Sequence, residues 1–294
     1  MRGSRCTLAL LFALATGIAG AVTTSETTPT VRWLTLDFPP LFILSGPEHG
    51  VGDYAQGIAV ANLSGYEHVS QAVPPNYQRI EQEMKSHGDV CFAGFLKTPE
   101  RERFMVFSEP YLMMLPVQLY VPAGRAQPPA VLDGQVDLQQ LLATGTFRLG
   151  LLGGRRYGAT VDPVVEAYKD STAVYRRFSK DQLGGLLTLL AAHEHSLDGV
   201  LSYSNEITYL AAQPGAKLID LRAYPLKGAP AFVFGYFACS SSELGRTVIA
   251  RINQTIPTIR AQVAQIYARH LAPGARAAYS ALLQHQWGFG LKPE

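Results

Sequence analysis

The sequence predicts an α/β fold with two lobes, each built around a mostly parallel sheet. Strand-like and helix-like segments alternate along the chain, as they do in α/β proteins. The order strand–helix–strand–helix–strand occurs twice, in residues 31–95 and again in residues 146–203. Because crossovers between parallel strands are right-handed, each unit is expected to form a sheet covered by helices. The chain has 294 residues and is 47% hydrophobic, which is enough for two lobes with sizeable cores.

Each unit is read from short apolar runs separated by turn residues. In the first unit the strands are VRWLTLDF (31–38), EHVSQAVP (67–74) and DVCFAGF (89–95), and the helices are GVGDYAQGIAVANLSG (50–65) and YQRIEQEMKSHG (77–88). In the second unit the strands are TFRLGLLGG (146–154), TAVYRRFS (172–179) and LDGVLSY (197–203), and the helices are DPVVEAYKD (162–170) and DQLGGLLTLLAAHEH (181–195). Gly65 and Gly88 end the two helices of the first unit, because a helix ends easily at a glycine.

The segments that join the two units predict where the lobes divide. PVQLYVPAGRAQPP (116–129) is a strand-like run that ends in a proline-rich loop, and GAPAFVFGYFACS (228–240) is a long apolar run after the second unit. These runs predict two chain crossings, near residues 116–122 and 228–236. Lobe 1 is therefore expected to comprise residues 22–120 and 228–294, and lobe 2 residues 121–227. The remaining tail is expected to be helical and broken near Pro257.

The first residues have the pattern of a secretory signal peptide. Arg2 and Arg5 precede an apolar run, and the small residues at 19–21 suit cleavage after Ala21. The apolar run is shorter than the roughly 20 residues of a membrane span, although an uncleaved anchor stays open. Removal of residues 1–21 takes two arginines from the 25 Lys and Arg residues and leaves 23, against 23 Asp and Glu. This balance does not indicate nucleic-acid binding, and no metal or cofactor motif is present.

Two cysteines, Cys91 and Cys239, remain after the predicted cleavage. In an oxidising compartment they could form one disulfide. Both lie in strand-like runs, and strand geometry rarely suits a bridge, so buried free thiols are favoured. Both runs are expected to belong to the lobe that contains the termini.

The most informative stretch is GDVCFAGFLKTPERERFMVFSEPY (88–111). It places five charged residues within residues 97–103, directly after a buried strand, in a chain that is only 16% charged. It resembles the pattern of periplasmic solute-binding proteins of ABC transporters, in the polar amino-acid group known as extracellular solute-binding protein family 3. That pattern is a strand, a glycine, a short loop, Thr-Pro-x-Arg and Phe-Ser-x-Pro-Tyr, and the matching residues are Thr98, Pro99, Arg101, Phe107, Ser108, Pro110 and Tyr111. The resemblance extends over residues 31–290 and is specific at 94–111.

The resemblance implies a two-lobed periplasmic-binding-protein fold of type II, with two crossing hinge strands. It also implies that Arg101 clamps the carboxylate of a ligand, which suits a planar, permanently charged guanidinium. The alternative for Arg101 is a surface ion pair with Glu102 or Glu109. Phe38 corresponds to a ring that stacks on the ligand, and core packing is its alternative.

Several positions depart from the family pattern. Gly94 is followed by bulky Phe95 and Leu96, where the family places small hydroxyl residues. In the second lobe Gly154 and Arg155 follow the strand, and Arg155 replaces a helix-capping threonine. Tyr203 replaces the aspartate that pairs with the ammonium group of an amino acid.

These departures change the expected ligand. With Arg101 supplying positive charge, Arg155 and Lys97 as further candidates, and Tyr203 in place of an acid, the cleft is expected to hold unmatched cations. A small carboxylate is therefore favoured over a zwitterionic amino acid, although Glu206 could still supply an ammonium partner.

The resemblance implies a monomeric periplasmic protein that binds a small solute and delivers it to a membrane permease. A receptor partner without a transporter and an enzyme of the dehydratase or lyase kind on the same fold are the alternatives. An enzyme would need a positioned acid or base. Glu48, His49 and Glu206 are the candidates, and no motif surrounds them, so a binding protein is favoured over an enzyme.

Overall fold

The computed structural model describes residues 27–179, 181–192, 196–216 and 218–292. The predicted signal peptide, residues 1–21, lies outside these ranges. Within them, none of the helices combines the length and the apolar character needed to cross a membrane.

Thirteen strands and nine helices form the described part of the chain. The strands are β1 (Thr30–Thr35), β2 (Glu67–Ala72), β3 (Val90–Phe95), β4 (Met105–Phe107), β5 (Leu112–Met114), β6 (Gln118–Pro122), β7 (Val131–Leu132), β8 (Gln135–Val136), β9 (Leu149–Leu152), β10 (Val174–Arg177), β11 (Gly199–Ser202), β12 (Leu221–Pro225) and β13 (Val233–Ser240). The helices are α1 (Val51–Ala61), α2 (Tyr77–Ser86), α3 (Pro99–Glu102), α4 (Leu138–Ala143), α5 (Asp162–Ala167), α6 (Gln182–Ala191), α7 (Ser204–Ala211), α8 (Glu243–Arg269) and α9 (Pro273–Trp287).

Two sheets with the same plan organise the molecule. The first has the order β2-β1-β3-β13-β4, with β5 also paired to β13, and the second has the order β10-β9-β11-β6-β12. In each sheet three neighbouring strands from one predicted unit are parallel, and the fourth strand is antiparallel to them. This arrangement confirms the predicted two-lobed, mostly parallel α/β fold.

The chain passes between the sheets twice. It leaves the first sheet after Met114 and enters the second at Gln118, and it returns between Pro225 and Val233. The lobe boundary expected at residue 120 falls inside β6, which pairs along its length with strands of the second sheet.

The cysteines form a disulfide, so the interpretation as free thiols is wrong. Cys91 on β3 and Cys239 on β13 lie opposite each other in the antiparallel pairing, with their Cα atoms 4.0 Å apart. Directly opposed residues of antiparallel strands can approach this closely. Both cysteines belong to the first sheet, as predicted.

Helix α8 is continuous through Pro257, so the predicted break near this residue is wrong. Ile252, Ile256 and Ile259 are fully buried on one face of the helix on both sides of the proline. This burial stabilises the helix enough to compensate for the hydrogen bond that a proline lacks.

Candidate ligand-binding cleft

The ends of the parallel strands from both sheets face one cavity between the lobes. Its lining comes from the first lobe (Leu41, Tyr77, Gly94, Phe95, Leu96, Arg101, Leu112, Met114 and Gly235) and from the second (Arg155, Arg156 and Tyr203). Open α/β sheets bind ligands at the carboxyl ends of their strands, so the location suits a ligand site. The cavity volume is about 40 Å³, which holds water but no amino-acid-sized molecule. The lobes are therefore closed on each other.

The Thr-Pro-x-Arg motif forms a capped helical turn that directs Arg101 into the protein. Thr98 caps α3, and its side-chain oxygen accepts from the backbone N–H of Arg101 at 3.4 Å. The Arg101 side chain is only 3% exposed. Its Nε and Nη2 atoms lie 3.0 Å and 2.9 Å from Oε1 of Glu81, and Nη1 donates to the carbonyl oxygen of Leu96 at 2.8 Å. The guanidinium also lies over the ring of Phe95, 4.3 Å from its centre.

This geometry excludes the surface ion pair that was the alternative for Arg101. Glu102 pairs instead with Lys97 at 2.8 Å, and Glu109 pairs with Arg260 at 3.3 Å. Burial lowers the pKa of Arg101, and the charge of Glu81 opposes that effect. A guanidinium has five N–H donors. Among the described residues, Glu81 and Leu96 account for three of them, which leaves one N–H on each terminal nitrogen.

Arg155 is the second buried guanidinium of the cleft. It follows the glycine turn after β9, and Glu206 on α7 accepts from it twice, at 3.1 Å from Nη1 and 2.5 Å from Nη2. Its guanidinium carbon lies 4.9 Å from the ring centres of both Phe38 and Tyr203, and 5.5 Å from that of Tyr157. Arg155 therefore extends from the second lobe onto an aromatic ring of the first.

The pKa shifts at this pair follow from burial and charge. Burial alone lowers the pKa of Arg155, but the charge and hydrogen bonds of Glu206 outweigh it, so the net shift is upward. Burial raises the pKa of Tyr203, and the nearby Arg155 only partly offsets it. Arg155 is therefore a cation and Tyr203 a neutral phenol at neutral pH.

Phe38, Gly94 and Gly154 all lie in closely packed surroundings, and Phe38 and Gly154 lie against residues of the opposite lobe. Phe38 is 5% exposed, and its ring packs edge-on against Tyr77 and faces Arg155. It is not among the residues that line the cavity, so its packing alternative describes it better than a ligand-stacking role. Gly154 has φ +73°, and a Cβ there would lie 3.1 Å from Cγ of Gln78 in the other lobe. A Cβ on Gly94 would lie 2.8 Å from the ring of Phe92. Gly154 is therefore required by its left-handed backbone conformation, and Gly94 by close packing.

The expectation of unmatched cations is wrong for both buried arginines, since Glu81 pairs with Arg101 and Glu206 with Arg155. Glu206 is the third residue of α7 and also accepts from the backbone N–H of Tyr203, as in a capping box. That pattern was a sequence signal for an acid fixed at this strand end. Glu81 carried no comparable signal, because its partner lies 20 residues away and on another element.

None of the three predicted acid and base candidates is among the residues that line the cavity. Glu48 and His49 are exposed and do not line the cavity. Glu206 is engaged by Arg155 and by the hydroxyl of Ser202 at 2.8 Å. Within the described residues, no three His, Cys, Asp or Glu side chains are grouped so as to hold a metal ion.

Comparison with known proteins gives a likeness in structure and none in sequence. No protein-family model matches the chain, and no curated protein sequence matches it. Among solved structures, the chain is similar to the amino acid ABC transporter substrate-binding protein AbpA from Streptococcus pneumoniae, bound to L-arginine. The TM-score is 0.59 and the identity 15%, over 83% of this chain and 97% of that one.

Two further structures are similar to a comparable degree. One comes from work on glutathione import through GshT and the cystine importer TcyBC of Streptococcus mutans, with TM-score 0.59 and 12% identity over 91% of this chain and 98% of that one. The other is the VFT2 domain of Bordetella pertussis BvgS, with TM-score 0.57 and 17% identity over 82% of this chain and 93% of that one. The chain therefore has the two-lobed fold of amino-acid substrate-binding proteins of ABC transporters, as the Thr-Pro-x-Arg motif implied.

Proposed function

We propose that the protein binds a small solute carrying a carboxylate between its two lobes. The observation that carries this proposal is the cavity lining. Of the residues that the structure describes, three arginines, Arg101, Arg155 and Arg156, line the cavity and no carboxylate does, because Glu81 and Glu206 lie behind the guanidiniums they pair with. Arg101 and Arg155 are already paired with carboxylates, so the net positive charge of the lining comes from Arg156, and the remaining N–H donors of Arg101 also favour an anionic group on the ligand.

Arg101 is the proposed anchor for the carboxylate. Glu81 and the Leu96 carbonyl hold its side chain in one orientation, so little freedom is lost when a ligand binds. Within the described chain, one N–H group remains on each terminal nitrogen of Arg101. The two oxygens of a carboxylate can accept hydrogen bonds from such a pair of N–H groups. Arg156, which is exposed at the cavity, supplies a second positive charge from the other lobe.

Binding requires the lobes to open, because the closed cavity has room only for water. The two passages at 115–117 and 226–232 are the natural hinges, since they alone join the sheets along the described chain. Opening would break contacts across the cleft, including the hydrogen bond from Nε2 of Gln182 to the carbonyl oxygen of Pro75 at 2.6 Å.

The proposed physiological role is delivery of the solute to a membrane permease or a receptor. The structural neighbours include a substrate-binding protein of an ABC transporter and a domain of BvgS. The protein is also proposed to be exported through its amino-terminal signal and to act as a monomer in the periplasm. A binding role is favoured over an enzymatic one because, among the described residues, no His, Asp, Glu, Lys or Cys side chain lines the cavity.

A thermal-shift screen of small mono- and dicarboxylates against neutral and basic amino acids tests the proposal, with native mass spectrometry to detect a solute retained on purification. Arg101→Met is expected to remove the stabilisation by the best carboxylate. Arg79→Met is the matched control, because the 56% exposed Arg79 lies on the same helix as Glu81 but outside the cavity lining, and its partner Glu83 keeps Arg32 nearby. The ligand assignment fails if lysine, arginine or histidine gives the largest shift. Recovery of the solute chemically altered after incubation would instead support an enzyme.

A further inference from the structure

Arg155 occupies a position between the lobes that has the features of a ligand site. Its guanidinium is bound on one edge by both oxygens of Glu206. The rings of Tyr203, Tyr157 and Phe38 all lie within 5.5 Å of it. A bidentate carboxylate and several aromatic faces are the groups that recognise a guanidinium most strongly.

The geometry points to a guanidinium-binding site, formed by Glu206, Tyr203, Tyr157 and Phe38, that the protein fills with its own Arg155. The side chain acts as an internal ligand: it belongs to the second lobe and contacts Phe38 of the first. It therefore stabilises the closed arrangement of the lobes without a bound solute.

Among the described arginines that pair with an acid and also contact a ring, Arg155 has the most deeply buried acid, since Glu81 beside Arg101 is 22% exposed. Arg260 pairs with Glu109 and lies 4.8 Å from the ring centre of Trp287, but the Glu109 side chain is 58% exposed.

At the Arg155 site both partners are buried, with side-chain exposures of 10% and 7%. Without Arg155, Glu206 would keep only the hydrogen bonds from Ser202 and from the Tyr203 backbone N–H. Because a buried carboxylate without a cation is unfavourable, we expect Glu206 to bind a replacement cation if Arg155 is removed.

A consequence for specificity follows. While Arg155 is in place, the site is full, and the cationic end of an arginine-like solute has no carboxylate to bind there. Arg155 is thus a specificity-determining residue that excludes guanidinium solutes. This inference does not depend on the proposed carboxylate ligand, because the Arg155 site binds a cation whereas the proposed ligand is an anion.

The test is chemical rescue of Arg155→Ala with ethylguanidinium, measured as the change in Tm of the full chain. The variant is expected to have a lower Tm than the unmutated protein, and millimolar ethylguanidinium is expected to raise it saturably by about 2–5 °C. Ethylammonium at the same concentration, which has the charge without the planar fork, should have a much smaller effect. The unmutated protein should show no selective gain from either cation.

Two further variants assign the effect to the site. Arg260→Ala removes an arginine with a carboxylate and a ring outside the cleft, and it should show no selective rescue. Arg155→Ala combined with Glu206→Gln should lose the rescue. If Arg155→Ala does not fold by itself, refolding with either cation, followed by near-ultraviolet circular dichroism, replaces the Tm. Equal effects of the two cations, no rescue, or the same response in the unmutated protein would overturn the inference.

Discussion

The pair of Arg101 and Glu81 allows a quantitative test of how the cleft is held together. The Arg101 side chain is 3% exposed and that of Glu81 is 22% exposed. Removing one partner of a buried ion pair costs about 3–5 kcal/mol of unfolding free energy, because the other charge stays desolvated. The two partners differ in how easily the remaining charge can regain water, so their removal is not equivalent.

Replacing either residue with methionine keeps an apolar stem and removes the charge. Arg101→Met leaves Glu81, which can rehydrate, and we expect a loss of about 2 kcal/mol. Glu81→Met leaves a guanidinium that is nearly inaccessible to water, and we expect about 4 kcal/mol. In the double variant no charge is stranded, so the two losses should not add, and the coupling energy should be about 2 kcal/mol.

Urea unfolding at pH 7 with the disulfide intact measures all three variants against the unmutated protein, and equal m values confirm that the unfolding reactions are comparable. The reasoning is refuted if Arg101→Met costs more than Glu81→Met. It is equally refuted by a coupling energy below about 0.5 kcal/mol, which is the additivity expected of independent sites.

Two predictions concern the first sheet. The disulfide joins residues with a sequence separation of 148. For a loop of this length, chain entropy predicts at most about 5 kcal/mol of stabilisation. The double variant Cys91→Ser, Cys239→Ser should therefore lower the unfolding free energy by about 2–5 kcal/mol. Thermal and urea unfolding check this; a loss below about 1 kcal/mol would contradict it. Arg32 holds the pKa of Asp89 below its ordinary value of 3.8, mainly through a side-chain hydrogen bond. An acid whose pKa is lowered by folding stabilises the fold at pH values above its unfolded pKa, and this stabilisation is lost as the pH falls through its folded pKa. Asp89→Asn should therefore cost about 0.5–1 kcal/mol of unfolding free energy at pH 7 and almost nothing near pH 2. A cost independent of pH would disprove that role.

The order of elements was predictable from the sequence, because it depends on local signals. Hydrophobic runs, glycine turns and the Thr-Pro-x-Arg motif each act within a few residues, and they placed Arg101 and Arg155 correctly at the ends of parallel strands. The strands β7 and β8 and the helices α4 and α7 were not predicted, and at α8 the proline in the sequence wrongly indicated a break. Burial of the isoleucines around Pro257 overrides that local preference, and burial is a property of the packed molecule.

The contents of the cleft were decided by the tertiary structure. The sequence by itself determined that basic residues would stand at the strand ends, but their partners come from elements brought together by folding. Glu81 is 20 residues from Arg101, Glu206 is 51 residues from Arg155, and Cys91 is 148 residues from Cys239. Such pairings depend on sheet register and on how closely the lobes approach. For the same reason the space left for a solute, about 40 Å³ in the closed form, follows only from the packing of both lobes.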